Sequence, residues 1–168
     1  QSGEVILRSS STLQLNPDLL DSHDVINLQR LVRGIGLAPA GDEGWEQEAQ
    51  AAVLAYRGPF LAECYLDWAV DARQTLELQV MELAKSLLES LEKRARWEAV
   101  ITVAGHVLQI DRYAQWACLS VMRAMRQTGR AAEAIRLFER NRKMWDEEMG
   151  LEPEAELQEE LQRLQELV

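Results

Sequence analysis

Two short segments in the second half of the chain resemble each other: "RWEAVI" at Arg96–Ile101 and "AAEAIR" at Ala131–Arg136, with Glu98 and Glu133 thirty-five residues apart. Each opens a run whose apolar residues recur at helical spacing, and each run leads through a turn into a second such run. Repetition at a period near 34, with small Ala where helices pack closely, is the pattern of tetratricopeptide-like repeats. A further, degenerate copy is expected to start near Trp45. The fold class that follows is all-α, a tetratricopeptide-like stack of antiparallel helical hairpins.

The boundaries of the helices are written in local chemistry. "WEQEAQAAVLAY" is expected to stop at Gly58-Pro59. Asp67 is placed to cap a long helix reaching about Lys93, whose Leu76, Val80, Leu83, Leu87 and Leu91 line one face, widened by Ala84 and Leu88. "WEAVITVAGHVLQI" closes at Asp111, and "YAQWACLSVMRAMRQ" stops at Gly129. After "AAEAIRLFERNRKMWDEEM", Gly150 offers the left-handed residue that ends a helix. Glu152 is the expected N-cap of the next helix and Pro153 its first residue.

The first residues differ. "EVILRSSSTLQL" alternates Val5 and Leu7, then Leu13 and Leu15, around a Ser run, which predicts a short N-terminal β-hairpin. "DSHDVINLQRLV" then predicts a helix carrying Val25, Leu28, Leu31 and Val32, with Asp21 or Ser22 as its cap. "RGIGLAPAGDEG", with four Gly and one Pro, reads as a linker over 34–44.

Composition narrows the partners. A net charge of −10 opposes nucleic-acid binding by these residues, since phosphate contacts need clustered Lys and Arg. Two cysteines without metal-like spacing predict neither a disulfide framework nor a metal centre, and favour a cytoplasmic setting. No apolar run reaches the roughly 18 residues that span a bilayer. The N-terminus shows neither a signal peptide nor an initiator Met, so a fragment of a longer protein is expected.

Catalytic chemistry finds little support. His106 on a mostly apolar helix reads as a core or half-buried histidine, and Cys64 and Cys118 have no base at nucleophile spacing. No phosphate-binding glycine loop is present. No enzyme activity, cofactor, metal or small-molecule substrate is expected. The five tryptophans, 45, 68, 97, 116 and 145, are expected mainly in core or inter-helix packing, the other reading being a groove that grips a peptide.

The cations are more informative. From Arg112 to Lys143 there are eight basic residues against two acidic ones, and from Asp146 to Val168 one Arg against nine acids. Arg123, Arg126 and Arg130 share one helical face, and Arg136, Arg140 and Lys143 likewise share one face of the next helix. Two readings stand: a solvated ridge paired with the acidic tail, or a docking surface for an acidic partner segment.

The same stretches resemble a family. Tyr56, Gly58, Phe60 and Leu61, then Trp68 and Arg73, then Gly129, Arg130, Glu133, Ala134, Glu148, Gly150, Glu152 and Pro153 follow the pattern of the bacterial transcriptional activator domain. That domain lies behind the winged-helix module in regulators of the antibiotic-regulatory-protein type. The likeness covers about Trp45 to Val168. It departs in "QIDRYAQWA", where Arg112 replaces the usual Pro, and at Trp145 and Met149, where smaller or branched aliphatics are commoner.

The resemblance implies that residues 1–33 are the end of an upstream winged-helix module, 34–44 a linker, and 45–168 the helical activator domain. It also implies a regulatory, oligomerisation and protein-interaction role. The expected partners are proteins: a second copy, neighbouring domains or the transcription machinery. DNA would be met only through the upstream module, and a membrane not at all. The alternative is a general tetratricopeptide-like adaptor for a peptide or protein segment.

Overall fold

The computed structural model describes residues 6–8, 13–15, 24–36, 42–60 and 62–168. Strands β1 (Ile6–Arg8) and β2 (Leu13–Leu15) pair antiparallel, with Ile6 opposite Leu15 and Arg8 opposite Leu13. Seven helices follow among the described residues: α1 (Asp24–Gly36), α2 (Glu43–Ala55), α3 (Asp67–Lys93), α4 (Trp97–Ile110), α5 (Gln115–Gln127), α6 (Ala131–Met149) and α7 (Ala155–Gln165). Val5, Asp21, Ser22 and Leu61 lie outside the described residues.

The repeat is exact in its turns. Ala95, between α3 and α4, and Gly129, between α5 and α6, both take left-handed backbone conformations, φ 53° and 73°. At the first turn the Arg96 N–H donates to the Leu91 carbonyl at 2.9 Å; at the second, Arg130 donates to Met125 at 2.8 Å. These are the six-to-one bonds that satisfy the open carbonyls at a helix end. The structural register is therefore thirty-four residues, so the likeness of Glu98 to Glu133 is one residue out of phase. The helical pair ahead of α4–α5 and α6–α7 is α2–α3, which starts at Glu43, near Trp45, and α1 packs on both of its helices.

Two cores share the stack. The larger takes Leu28, Val32 and Ile35 from α1, Trp45, Ala49 and Val53 from α2, the whole leucine face of α3, and Val100, Val103 and Val107 from α4. The smaller holds Cys118 and Met122 of α5, Ala134, Phe138 and Trp145 of α6, and Leu157 and Leu164 of α7. Helix α5 serves both, giving Ala117, Val121 and Ala124 to the first core and Cys118 and Met122 to the second. A helix buried on two sides has little room for a polar face, which accounts for its run of buried residues.

Three local expectations need correction. The linker expected over 34–44 is helical at both ends, since α1 runs through Gly34 to Gly36 and α2 starts at Glu43 behind its Asp42 cap. Burial of Ile35, whose carbonyl accepts the Trp45 indole N–H at 3.1 Å, outweighs a glycine propensity cost of about 1 kcal/mol per residue. Asp67 is the first residue of α3 and not its cap; Leu66 holds that position without a side-chain bond. Helix α7 begins at Ala155, two residues beyond Pro153, with Glu154 rather than Glu152 at the cap position, where its N–H donates to Gln115 of α5.

Candidate functional site

The six cations of the two ridges separate into distinct environments. Arg126 turns toward α7, where its Nε donates to Glu160 Oε1 at 2.6 Å. Glu160 is fully buried, and its other oxygen accepts from Arg163 at 3.4 Å. Arg123 reaches Glu156 of α7 at 3.2 Å and Glu92 of α3 at 4.0 Å, lacing three helices together. Arg130 and Glu133 pair at 2.8 Å across the first turn of α6, and the guanidinium holds the Glu133 carboxyl below its usual range. Lys143 meets Glu147 at 3.7 Å with both side chains in solvent, a pair worth about 0–1 kcal/mol.

Arg136 and Arg140 are different. Both are exposed on α6, and neither has a hydrogen bond or ion pair among the described residues. Arg140 and Asn141 stand at the wall of a groove of about 410 Å³ between α4 and α6. Its floor is apolar, made of Ile101, Leu108, Val121, Met125 and Leu137, with Gln109 at the edge. Gly105 opens it further, since nothing lies within 4 Å of where a Cβ would stand. Of the six cations, Arg123, Arg126, Arg130 and Lys143 are thus ion-paired, and Arg136 and Arg140 stand open on α6.

The corner after Gly150 is held from outside. Gln115, at the start of α5, uses both ends of its amide: Nε2 donates to the Glu152 carbonyl at 3.1 Å, and Oε1 accepts the Glu154 N–H at 2.7 Å. The Trp145 indole donates to the Arg112 carbonyl at 3.0 Å, while Arg112 and the Tyr113 hydroxyl both donate to Glu148. Arg112 and Trp145, two of the three departures from the family pattern, therefore meet in one intramolecular cluster.

At the other end, the family's opening motif shapes a loop. Arg73 Nε donates to the Phe60 carbonyl at 2.9 Å and Nη2 to the Cys64 carbonyl at 2.7 Å, tying Phe60 and Cys64 to α3. His106 is half-buried, with Nε2 2.8 Å from the Tyr56 carbonyl oxygen. The Tyr56 hydroxyl is buried without a hydrogen-bond partner among the described residues, and burial, with Glu77 second, pushes its pKa up to about 12. Burial likewise raises the Cys118 thiol to about 11, against the reactive thiolate a nucleophile needs.

Sequence reasoning missed two buried carboxylates, Glu46 and Glu160. The signal was available, because Glu160 falls on the stripe of Leu157 and Leu164, and Glu46 on that of Ala49 and Val53. Among the described residues no three His, Cys, Asp or Glu side chains are grouped to hold a metal ion. No helix there is long and apolar enough to cross a membrane.

With this geometry in view, residues 23–165 match the family described as bacterial transcriptional activator domain. The fold is similar to that of EmbR from Mycobacterium tuberculosis, solved in complex with a low-affinity phosphopeptide, with a TM-score of 0.65 at 19% identity. The match covers 96% of this chain and 43% of that one. Comparison with curated protein sequences returns no significant match.

Proposed function

The chain belongs to the bacterial transcriptional activator domain family, and from that membership we propose that it is the regulatory and protein-interaction part of a cytoplasmic transcription regulator. In this reading the DNA reader lies upstream, and the β1–β2 hairpin is the end of its winged-helix module, ahead of the family match that begins at residue 23. The helices act by self-association or by contact with neighbouring domains, which sets the spacing of paired DNA readers. Arg136 and Arg140, beside the apolar groove of α4 and α6, receive an acidic partner segment.

The observation that supports this most is the placement of α1. It follows the hairpin in the chain, yet Leu28, Val32 and Ile35 are built into the helical core. A displacement of α1 would therefore be felt by α2 and α3, on which it packs. The groove is proposed on its own geometry, since more than half of EmbR lies outside the match.

Light scattering after size exclusion, over a range of concentrations, tests the self-association. A dimer supports spacing of DNA readers by these helices. A monomer throughout removes that role and leaves docking. The chain should give no sequence-specific gel shift at physiological salt, and such a shift would overturn the placement of the DNA reader upstream.

A further inference from the structure

The start of α3 carries an apolar surface that the fold does not use. Tyr65, Leu66, Trp68 and Leu78 are 83%, 60%, 58% and 62% exposed, and they are four of the nine large exposed hydrophobics among the described residues. Trp68, Asp71, Thr75, Leu78 and Glu82 follow helical spacing along one exposed stripe, with Tyr65 and Leu66 in the turn ahead of it. At 1.5 Å per residue, Trp68 and Leu78 stand about 15 Å apart along the axis. The buried face of α3 runs through Ala69, Leu76 and Val80, so the stripe is not a frayed edge of the core.

Its charge is of one sign. Glu63, Asp67, Asp71 and Glu82 are exposed in and around the stripe, and none has an ion pair among the described residues. Arg73, the cation of this region, is committed to the Phe60 and Cys64 carbonyls. Lys85, a turn further on, sits 5.1 Å from the ring centre of Trp116. Large aromatics in contiguous exposed surface are the material of protein interfaces, and Trp and Tyr dominate their binding energy.

We propose that this face docks a basic amphipathic helix of a partner protein, which seats apolar side chains on Trp68 and Leu78 and sets Lys or Arg against Asp67, Asp71 and Glu82. A second copy fits less well, because a two-fold contact would oppose the same carboxylates to each other. Nucleic acid and anionic lipid are repelled by the same charges. A cation has in addition the faces of Trp68 and Tyr65 to lie on. The surface is separate from the α4–α6 groove, takes the opposite charge, and stands whether or not the groove binds an acidic segment.

The probe is a synthetic twenty-residue helix of Leu and Lys with one apolar face, titrated into the isotope-labelled chain and followed by amide and indole NMR shifts. Shifts should cluster in residues 62–82 and include the Trp68 indole. Trp68→Ala should weaken binding about tenfold or more. Asp67→Lys with Asp71→Lys should weaken it further and flatten its salt dependence, all at unchanged melting temperature. A matched Leu/Glu helix should not bind. Shifts centred on the acids of α7, or equal affinity for the aspartate variants, would overturn the proposal. So would a mass that doubles with concentration in the unmodified chain and not in Trp68→Ala, which would make the occupant a second copy.

Discussion

The helices α2 and α7 lie at opposite ends of the stack and are held in different ways. Helix α2 is seated by apolar burial: Trp45, Ala49, Ala52 and Val53 all lie in the larger core. Helix α7 offers Leu157 and Leu164, and gains its position from directed polar bonds to Gln115, Arg123 and Arg126 of α5. Each buries one glutamate. Glu46 accepts from Ser90 at 2.6 Å and lies 3.5 Å from Arg94 and 3.6 Å from Arg96. Glu160 has Arg126 and, more distantly, Arg163. A wide apolar face tolerates loose polar company; a narrow one depends on single partners.

That contrast can be broken most directly at the smaller core. Trp145→Ala removes its largest side chain and should cost about 3–5 kcal/mol, read as a lower urea midpoint. Leu87→Ala in the larger core should cost about 2–5 kcal/mol but leave amide protection in α7 intact. Loss of α7 protection in Leu87→Ala would erase the distinction.

The carboxylates sharpen it. Arg126→Met strands Glu160 and should cost about 3 kcal/mol, while Arg126→Met with Glu160→Met should recover most of that. Ser90→Ala, which leaves Glu46 its arginines, should cost about 1 kcal/mol. Equal losses from Arg126→Met and Ser90→Ala in thermal unfolding would mean that both ends share their polar partners alike.

The turns provide a comparison within one repeat register. Gly129→Ala should destabilise by about 1 kcal/mol, because a Cβ is unfavourable in the left-handed region. Ala95→Gly, the reverse change at the equivalent position, should stabilise by up to about 1 kcal/mol. Both can be read from thermal midpoints.

At the α2 end the phenol of Tyr56 should act only in alkali. The unfolded phenol ionises near its ordinary value of 10.0, and the folded one near 12. Between these the unfolded state holds fewer protons, so stability falls as pH rises above about 10. Tyr56→Phe should flatten that loss in urea midpoints between pH 9 and 11, with little change at pH 7. The smallest effect belongs to Arg136→Glu with Arg140→Glu, which should move stability by no more than about 0.5 kcal/mol in the same assay.

Most helix boundaries were legible because they depend on neighbours in the chain. The leucine face of α3, the stop at Gly129 and the left-handed Gly150 are all settled within one or two turns of sequence. What escaped depends on residues far apart. Nothing near Pro153 discloses that Gln115 will take the N–H of Glu154, so local chemistry alone puts the restart two residues early. The "QEELQ" segment looks like solvent-facing acid until Arg126 is brought beside Glu160. Trp68 was expected in packing, but it stands one position off the Ala69–Leu76 face. The ridges were visible as spacing, and only the packing of α7 on α5 divides the engaged Arg123 and Arg126 from the open Arg136 and Arg140.

The double use of the Gln115 amide also bears on the order of assembly. Its two bonds bridge thirty-seven and thirty-nine residues, whereas the pairing of α3 with α4 and of α5 with α6 closes across short turns. The stretch from Glu152 to Glu154 therefore lacks these partners until α5 is in place, and the cost of loop closure over that span is offset only when both bonds form together. In a chain synthesised from its N-terminus, α7 therefore docks only after α5 has taken its place in the stack.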